Sequence, residues 1–399
     1  MIFWTSHNLF ILLHFDDINL FHNKILFNRN ELSGAFGDIG TDLPLIVGMI
    51  AACSLDPASS FILFGIMQVL TGITYGIPMP VQPLKAMAVL MIAQKLSGDM
   101  LYGAGLVIGV LMVILTTTNL LKWLVRIIPK SVVRGIQFGL GLSLASLALK
   151  DYLPSGGVNG YIIAGLGFLL TIRLIGNKRF PPALFVVLLG IVYACFFTMD
   201  FPKLFASISI SLPIFHIPKT NDMLTGFLVL VIPQIALSLS NSVIATRQTV
   251  SDLFPEKRLT VNKIGYTYSL MNILNPFFSG IPTCHGAGGI VGHHTFGGRT
   301  GGSVVLYGGL FLTIGLFFSK GFSEFVLFFP KPILGVILLF EALSLMFFIK
   351  DITASRKCLV VSFVVALIAF LIPYGYAIGL VVGILLDYLI KKESILNHF

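Results

Sequence analysis

The tripeptide Gly-Ile-Pro at residues 76–78 occurs again at residues 280–282, an offset of 204 positions (76 to 280). Each copy lies between apolar stretches and precedes a short segment rich in small residues or proline. A glycine–proline break interrupts a helix, and at membrane depth the freed backbone groups are tolerated only where protein or a cavity covers them. Matching breaks in the two halves of a membrane chain are a sequence signature of a transporter's substrate site.

Two further landmarks recur at nearly the same offset. Gly105 corresponds to Gly309, again 204 positions later (105 to 309), and the Pro-Lys pair at 129–130 corresponds to the pair at 330–331, 201 positions later (129 to 330). Landmarks that recur in the same order and at similar spacing predict two copies of one structural unit.

The repeat predicts a domain organisation. We expect a first transmembrane repeat over residues 31–200, a linker over 201–220, a second repeat over 221–391 and a short tail over 392–399. Residues 1–30 fit neither a signal peptide nor a spanning helix. An interfacial or poorly ordered segment and an over-extended start both stay open for them.

The composition predicts an integral membrane protein. The chain has 399 residues, of which 56% are hydrophobic and 11% charged, and its mean hydropathy is +0.94. A soluble domain carries about 25% charged residues, and we expect no separate soluble domain here. The four cysteines are scattered without metal-ligand or disulfide spacing, so we predict no metal and no cofactor. We attribute the net charge of +9 to basic cytoplasmic loops rather than to a nucleic-acid partner.

The apolar stretches predict an all-α polytopic membrane protein. About fourteen of them reach spanning length, seven in each half. An odd number of spans per copy inverts the second copy, which gives a 7+7 inverted repeat. Lys and Arg residues are concentrated in the segments that are cytoplasmic when the chain starts inside. The positive-inside rule therefore predicts two cytoplasmic termini, and we expect the cell membrane as the location.

Spans three and ten begin directly after the two breaks and carry the strongest candidate site. Their half-helices would point N-termini towards each other, each offering free N–H groups and roughly half a positive charge. Lys85 in span three and His285 in span ten add positive charge, so the pattern favours an oxyanion. The alternatives are close helix packing by the glycines of span ten and a lysine that extends to the membrane interface.

Spans one and eight contribute further polar residues. Asp38 and Asp42 are four positions apart and share a helix face, so they are candidates for a proton relay or for pairing with Lys85. Structural pairing is the alternative for both. Gln234 begins a polar stripe that is expected to line a cavity. We interpret Glu341 as a helix-pairing residue, while the histidines at 293 and 294 are expected in a loop.

Three segments resemble a known family. SGAFGDIGTDLPL at 33–45, PMPVQPLKAMA at 78–88 and PTCHGAGGIVGHHTFGGRTGG at 282–302 are similar to signature segments of the molybdate transporters related to the sulfate permeases. The resemblance extends from about residue 31 to 391. It implies a core domain of spans 1–4 and 8–11, a gate domain of spans 5–7 and 12–14, and elevator-like movement of the core. As in molybdate-type members, we expect no cytoplasmic STAS domain of the kind that typical sulfate permeases carry, and this expectation weakens the sulfate interpretation without excluding it.

The resemblance, together with the span-ten pattern, assigns the site residues. Coupling is expected at Asp38 and Asp42, and substrate binding at Gln82, Lys85, Gln234, Thr283, His285, Gly286 and Gly288.

We therefore expect a secondary active transporter of a tetrahedral oxyanion, molybdate first and sulfate next. Proton symport, with Asp38 or His285 as carrier, would drive uptake, and a homodimer stays open. A nucleobase transporter of the same architecture is a weaker alternative, because spans eight and ten carry Gln234 and His285 where acidic residues are expected for it. An anion channel is another alternative. We do not expect an enzyme, since no nucleophile–base pair is evident.

Overall fold

The chain is mainly helical. The computed structural model describes residues 15–20, 23–121, 123, 128–175 and 182–396. The helices of the first half are Arg29–Gly34, Ile39–Cys53, Pro57–Tyr75, Lys85–Gln94, Gly98–Thr117, Lys130–Leu147 with a π-helical extension at Ala148–Tyr152, Gly157–Leu174, Pro182–Phe197 and Phe201–Ala206.

The second half opens with one continuous helical stretch, Thr220–Leu253, which contains π-helical turns at Phe227–Val231 and Ser238–Ala245. The helices that follow are Val261–Leu274, Ala287–Thr295, Gly302–Phe317, Phe322–Phe325, Lys331–Phe347, Arg356–Leu371 and Gly375–Leu396, with 3-10 turns at Asn275–Phe278, Val326–Phe328 and Phe348–Ile352.

Two short antiparallel strand pairs accompany the helices. Val81–Pro83 pairs with Thr283–His285, and Phe15–Leu20 pairs with Asn23–Phe27. The second pair lies in the predicted N-terminal segment, of which residues 1–14 and 21–22 are outside the described residues.

Local sequence explains where several helices begin and end. Asp56 precedes Pro57 and accepts a hydrogen bond from the Ser59 N–H at 2.6 Å, so an acidic cap and a proline start the helix Pro57–Tyr75. Gly76 then ends that helix in the left-handed region, with a φ of 65°. The first Gly-Ile-Pro copy therefore terminates a helix, as a helix-breaking sequence should.

The helices have the length and apolar surface of a membrane protein. Six described helices are long and apolar enough to cross a membrane. Large apolar side chains cover the exterior, for example Val158, Leu169 and Phe196, which are exposed. In a bilayer such side chains face lipid. The prediction of an all-α, multi-pass membrane protein is confirmed at this level.

Helix starts recur at the offset of the sequence landmarks. Pro57 and Val261 each begin a helix 204 positions apart (57 to 261), and so do Gly98 and Gly302 (98 to 302). These helices pack in pairs between the two halves: Pro57–Tyr75 lies against Gly302–Phe317, and Val261–Leu274 lies against Gly98–Thr117. Each half thus contributes one helix to each pair.

Candidate functional site

The two breaks meet in a short antiparallel pairing of strands Val81–Pro83 and Thr283–His285, which we call the central ribbon. Val81 pairs with His285 and Pro83 pairs with Thr283, and the residues of both strands are buried. Because the strands are antiparallel, the helices that follow them leave the ribbon at opposite ends. We call Lys85–Gln94 half-helix 1 and Ala287–Thr295 half-helix 2.

Two buried amide side chains complete the hydrogen bonds of the ribbon. The Gln68 Nε2 donates to the Val81 carbonyl at 2.7 Å, and its Oε1 accepts from the Val81 N–H at 3.0 Å. Asn272 does the same for Thr283, donating to its carbonyl at 2.6 Å and accepting from its N–H at 3.0 Å. Each amide imitates a neighbouring strand and satisfies backbone groups that would be costly to leave unpaired in a membrane.

Sequence reasoning missed this pair of amides, although a signal was present. Gln68 and Asn272 are 204 positions apart (68 to 272), the offset of the Gly-Ile-Pro copies. Applying that offset to every polar residue of the first half would have identified them.

Gln82 and Asp38 meet beside half-helix 2. The Gln82 Nε2 donates to the Asp38 Oδ2 at 2.6 Å, and both side chains are buried. A Cβ on Gly286 would lie 1.8 Å from the Gln82 Oε1, and one on Gly289 would lie 2.4 Å from the Asp38 Oδ2. These glycines therefore make room for the Gln82–Asp38 pair, since any larger residue would overlap with it.

Gln234 caps half-helix 1. Its Oε1 accepts from the backbone N–H groups of Ala86 at 2.9 Å and Met87 at 3.3 Å, and its Nε2 donates to the Ser238 Oγ at 3.0 Å. Both ends of the amide are thus engaged within the protein. The geometry suits a side chain that positions half-helix 1 rather than one that is free for a ligand.

The start of half-helix 2 is open by comparison. Among the described residues, no side chain accepts a hydrogen bond from the N–H groups of its first turn. Gly288 is exposed, and no atom lies within 4 Å of the position that a Cβ would take. A helix N-terminus with unpaired N–H groups is an anion-binding element.

Lys85 is the first residue of half-helix 1 and forms an ion pair. Its Nζ lies 2.6 Å from the Glu341 Oε1, and the two side chains are 23% and 18% exposed. The expected alternative partner, Asp38, is hydrogen-bonded to Gln82 instead. Glu341 belongs to the helix Lys331–Phe347. Glu341 therefore pairs with a residue of half-helix 1, a partner that the sequence did not predict.

Thr283 and His285 lie on the other side of the ribbon. The His285 Nε2 is 2.8 Å from the Thr267 Oγ1, and the Thr283 Oγ1 donates to the Met271 Sδ at 3.7 Å. Thr267 and Met271 both belong to the helix Val261–Leu274. Side chains alternate along a strand, so these two residues face away from the side on which Gln82 contacts Asp38.

A second buried carboxyl group lies one helical turn beyond Asp38. Asp42 is fully buried, and its Oδ2 accepts from the Tyr307 hydroxyl at 3.1 Å. The ring of His293 packs edge-on against Tyr307 with centroids 5.5 Å apart. His293 and His294 both lie in half-helix 2, and His293 is buried, so the expectation that these two histidines lie in a loop was wrong. The helix that begins at Ala287 continues through both positions to Thr295.

Within the described residues, no group of three or more His, Cys, Asp or Glu side chains is placed to hold a metal ion. The functional groups gathered here are instead one ammonium group, one open helix N-terminus and a set of buried carboxylates.

The fold matches solved transporter structures. It aligns with the transmembrane domain of a cyanobacterium bicarbonate transporter, BicA, with a TM-score of 0.68 at 18% identity, covering 89% of this chain and 99% of that one. It aligns with the murine Solute Carrier 26 family member A9 anion transporter in the inward-facing state with a TM-score of 0.65 at 16% identity, covering 92% and 68%. The chain therefore shares the all-α fold of these transmembrane domains.

Sequence comparison identifies the family. Residues 30–144 and 226–345 match the family described as molybdate transporter of MFS superfamily. The chain is 32% identical to Molybdate transporter 2 of Arabidopsis thaliana over 416 aligned residues, covering 92% of this chain and 88% of the relative. It is 32% identical to Molybdate transporter 1 of the same plant over 378 aligned residues, covering 83% and 82%. The chain belongs to the molybdate transporter family, so the resemblance drawn from the sequence is confirmed. Membership of this family makes it a transport protein rather than an enzyme.

Proposed function

We propose that this protein is a secondary active transporter of a tetrahedral oxyanion, with molybdate as the first substrate and sulfate as the next. The observation that carries the proposal is the placement of a partly exposed ammonium group, Lys85, and an uncapped helix N-terminus at the two ends of one ribbon. The names of the plant relatives favour molybdate. The bound anion would undergo no covalent chemistry.

The electrostatics suit a dianion. Lys85 offers a full positive charge and half-helix 2 offers roughly half a charge together with free N–H donors. Gln82, Gln234, Thr283 and Gly286 would act by holding the two half-helices in place, because their polar atoms or space are already used by protein groups. Direct contact with the anion is then proposed for Lys85 and for the backbone at Gly288.

Proton coupling is proposed at Asp38 and Asp42. The Asp38 carboxylate borders the end of half-helix 2 at which the anion would bind, as its approach to Gly289 shows. A proton on this carboxylate removes a negative charge from that place, so proton and dianion would bind cooperatively. Uptake against a negative-inside potential costs about 2.3 kcal/mol per charge per 100 mV, which makes coupling necessary. His285 is a poorer carrier because it is buried against Thr267.

We propose a 7+7 inverted repeat for the membrane architecture, with repeats at 31–200 and 221–391. The recurring helix starts and the packing of first-half helices against second-half helices support this architecture. In this arrangement a core domain containing both half-helices would move against a gate domain in an elevator-type cycle. Both termini would be cytoplasmic and the location would be the cell membrane.

Uptake of radiolabelled molybdate into proteoliposomes tests the proposal. We expect saturable uptake that a proton gradient stimulates and that tungstate inhibits, and we expect Lys85→Ala to abolish it without loss of the folded protein. Lys95→Ala is the matched control, because Lys95 lies at the other end of half-helix 1 and is exposed. Undiminished uptake by Lys85→Ala would remove Lys85 from the site.

Competition separates the alternatives in the same assay. Inhibition by sulfate at a lower concentration than unlabelled molybdate would assign sulfate as the preferred substrate. Strong inhibition by uracil alone would overturn the oxyanion proposal, and flux that does not saturate would indicate a channel.

A further inference from the structure

The ion pair between Lys85 and Glu341 joins two parts of the molecule that are 256 positions apart in sequence. Lys85 starts half-helix 1, whereas Glu341 lies within the apolar helix Lys331–Phe347. A carboxylate in the middle of a membrane helix is costly unless it is paired, and such residues are commonly functional. Glu341 therefore needs a partner, and Lys85 is the one it has.

The pair is exclusive within the described part of the chain. Other ion pairs in that part join Lys130 and Arg134 to Asp351, Lys203 to Asp200, and His216 to Asp99. None of them includes Lys85 or Glu341. The charged neighbours of this pair are the carboxyl groups of Asp38, which directly precedes the adjoining helix Ile39–Cys53, and of Asp42 within that helix. Neither is hydrogen-bonded to Lys85.

Both members of the pair can be reached from outside the protein interior. With 23% and 18% of their side chains exposed, Lys85 and Glu341 are more open than Gln82, Gln234 and His285, which are at most 3% exposed. An ion pair that is partly solvated exchanges partners more readily than one that is fully enclosed, because water and solutes can reach both charges. An arriving anion would therefore meet Lys85 already engaged by a carboxylate.

We propose that Glu341 is a resident counter-ion that occupies Lys85 when no substrate is bound and that the oxyanion displaces. This inference rests on the proposed function and deepens it, because it adds a residue that sets affinity and turnover at the same site. The carboxylate and the oxyanion compete for one ammonium group. Glu341 lowers the affinity for the anion and, by returning to Lys85, speeds its release.

The proposal predicts a direction that a purely structural role would not produce. Glu341→Gln keeps the shape of the side chain but removes its charge, so Lys85 is freed for the substrate. We expect the dissociation constant for molybdate to fall roughly tenfold, which corresponds to about 1.4 kcal/mol, and the maximal uptake rate to fall as well. A glutamate that only stabilises the fold would give weaker binding when substituted.

Two measurements on the full-length purified protein test the proposal. The first is equilibrium binding of radiolabelled molybdate, together with KM and maximal rate in proteoliposomes, for the wild type and Glu341→Gln. Asp351→Asn is the matched control, because Asp351 lies in the 3-10 turn that follows the same helix and pairs with Lys130 and Arg134. We expect this control to bind molybdate like the wild type.

The second measurement is thermal unfolding of the ligand-free protein for Lys85→Ala, Glu341→Gln and the double variant. If the pair forms in the resting state, the double variant unfolds at a higher temperature than the sum of the single effects predicts. Additive shifts would overturn the inference.

The outcomes separate the inference from the function on which it rests. Molybdate binding that is present but equal or weaker in Glu341→Gln overturns the counter-ion proposal and leaves the transport proposal standing. Absence of saturable molybdate binding in the wild type overturns the proposed function itself.

Discussion

The two half-helices begin at the same ribbon but present different chemistry. Half-helix 1 has its first N–H groups capped by Gln234 and carries the charged side chain of Lys85. Half-helix 2 has an open first turn built on glycine and borders the carboxylate of Asp38. The repeated sequence thus gives two equivalent helix starts. Because their residues differ, half-helix 1 offers a side-chain charge and half-helix 2 offers backbone N–H donors.

The largest loss of stability is expected at the two buried amides that occupy equivalent positions in the two halves. Gln68→Leu and Asn272→Leu should each destabilise the protein by roughly 2–6 kcal/mol, since each leaves two buried backbone groups unpaired at about 1–3 kcal/mol per group. Thermal unfolding in detergent measures this. Asn275→Leu is the control, because Asn275 donates only one such bond, to the Ile281 carbonyl at 2.8 Å. A large loss for one variant alone would show that the two amides are not equivalent.

A smaller effect distinguishes two glycines of half-helix 2. Gly286→Ala should cost about 1–3 kcal/mol of stability, because the new methyl group overlaps with Gln82. Gly288→Ala should fold like the wild type and raise the KM for molybdate, since its methyl group takes the space beside the open N–H groups. Unfolding and uptake measured side by side check both. Equal stability of the two variants would contradict the packing role of Gly286.

The smallest effect concerns the cap of half-helix 1. Gln234→Leu removes the acceptor for Ala86 and Met87 and should cost about 1 kcal/mol, as the loss of a helix cap usually does. Gln234→Glu keeps an acceptor and should recover this stability, yet its negative charge should weaken molybdate binding at the neighbouring Lys85. Loss of stability with Gln234→Glu as large as with Gln234→Leu would argue against capping.

The breaks themselves could be predicted from the sequence, and so could the family. Glycine and proline have strong local effects on the backbone, so the first Gly-Ile-Pro copy directly ends the helix Pro57–Tyr75, and the second copy follows the 3-10 turn after the helix Val261–Leu274. Lys85 was recognisable because a lysine among apolar residues is rare in a membrane segment. Its partner was not, because the pairing of Lys85 with Glu341 depends on how distant helices pack.

The surroundings of Thr283 and His285 could not be predicted for a different reason. The sequence interpretation began span ten at the second break, whereas the helix begins at Ala287 after an extended strand. In an extended strand successive side chains point in opposite directions, so a shift of one residue changes which side each one faces. Glycine-rich sequence gives no local signal for that choice. The pairing across the ribbon determines it.

The central ribbon also bears on how the protein is made. Val81 pairs with His285, so its strand finds its partner only after another 204 residues (81 to 285) have been synthesised. Until then the strand Val81–Pro83 lacks the strand with which it pairs. Gln68 belongs to the preceding helix and hydrogen-bonds the Val81 backbone, so it can hold that backbone in place during this interval. Biogenesis of the site is therefore a late event, completed when the second half of the nascent chain enters the membrane and docks against the first.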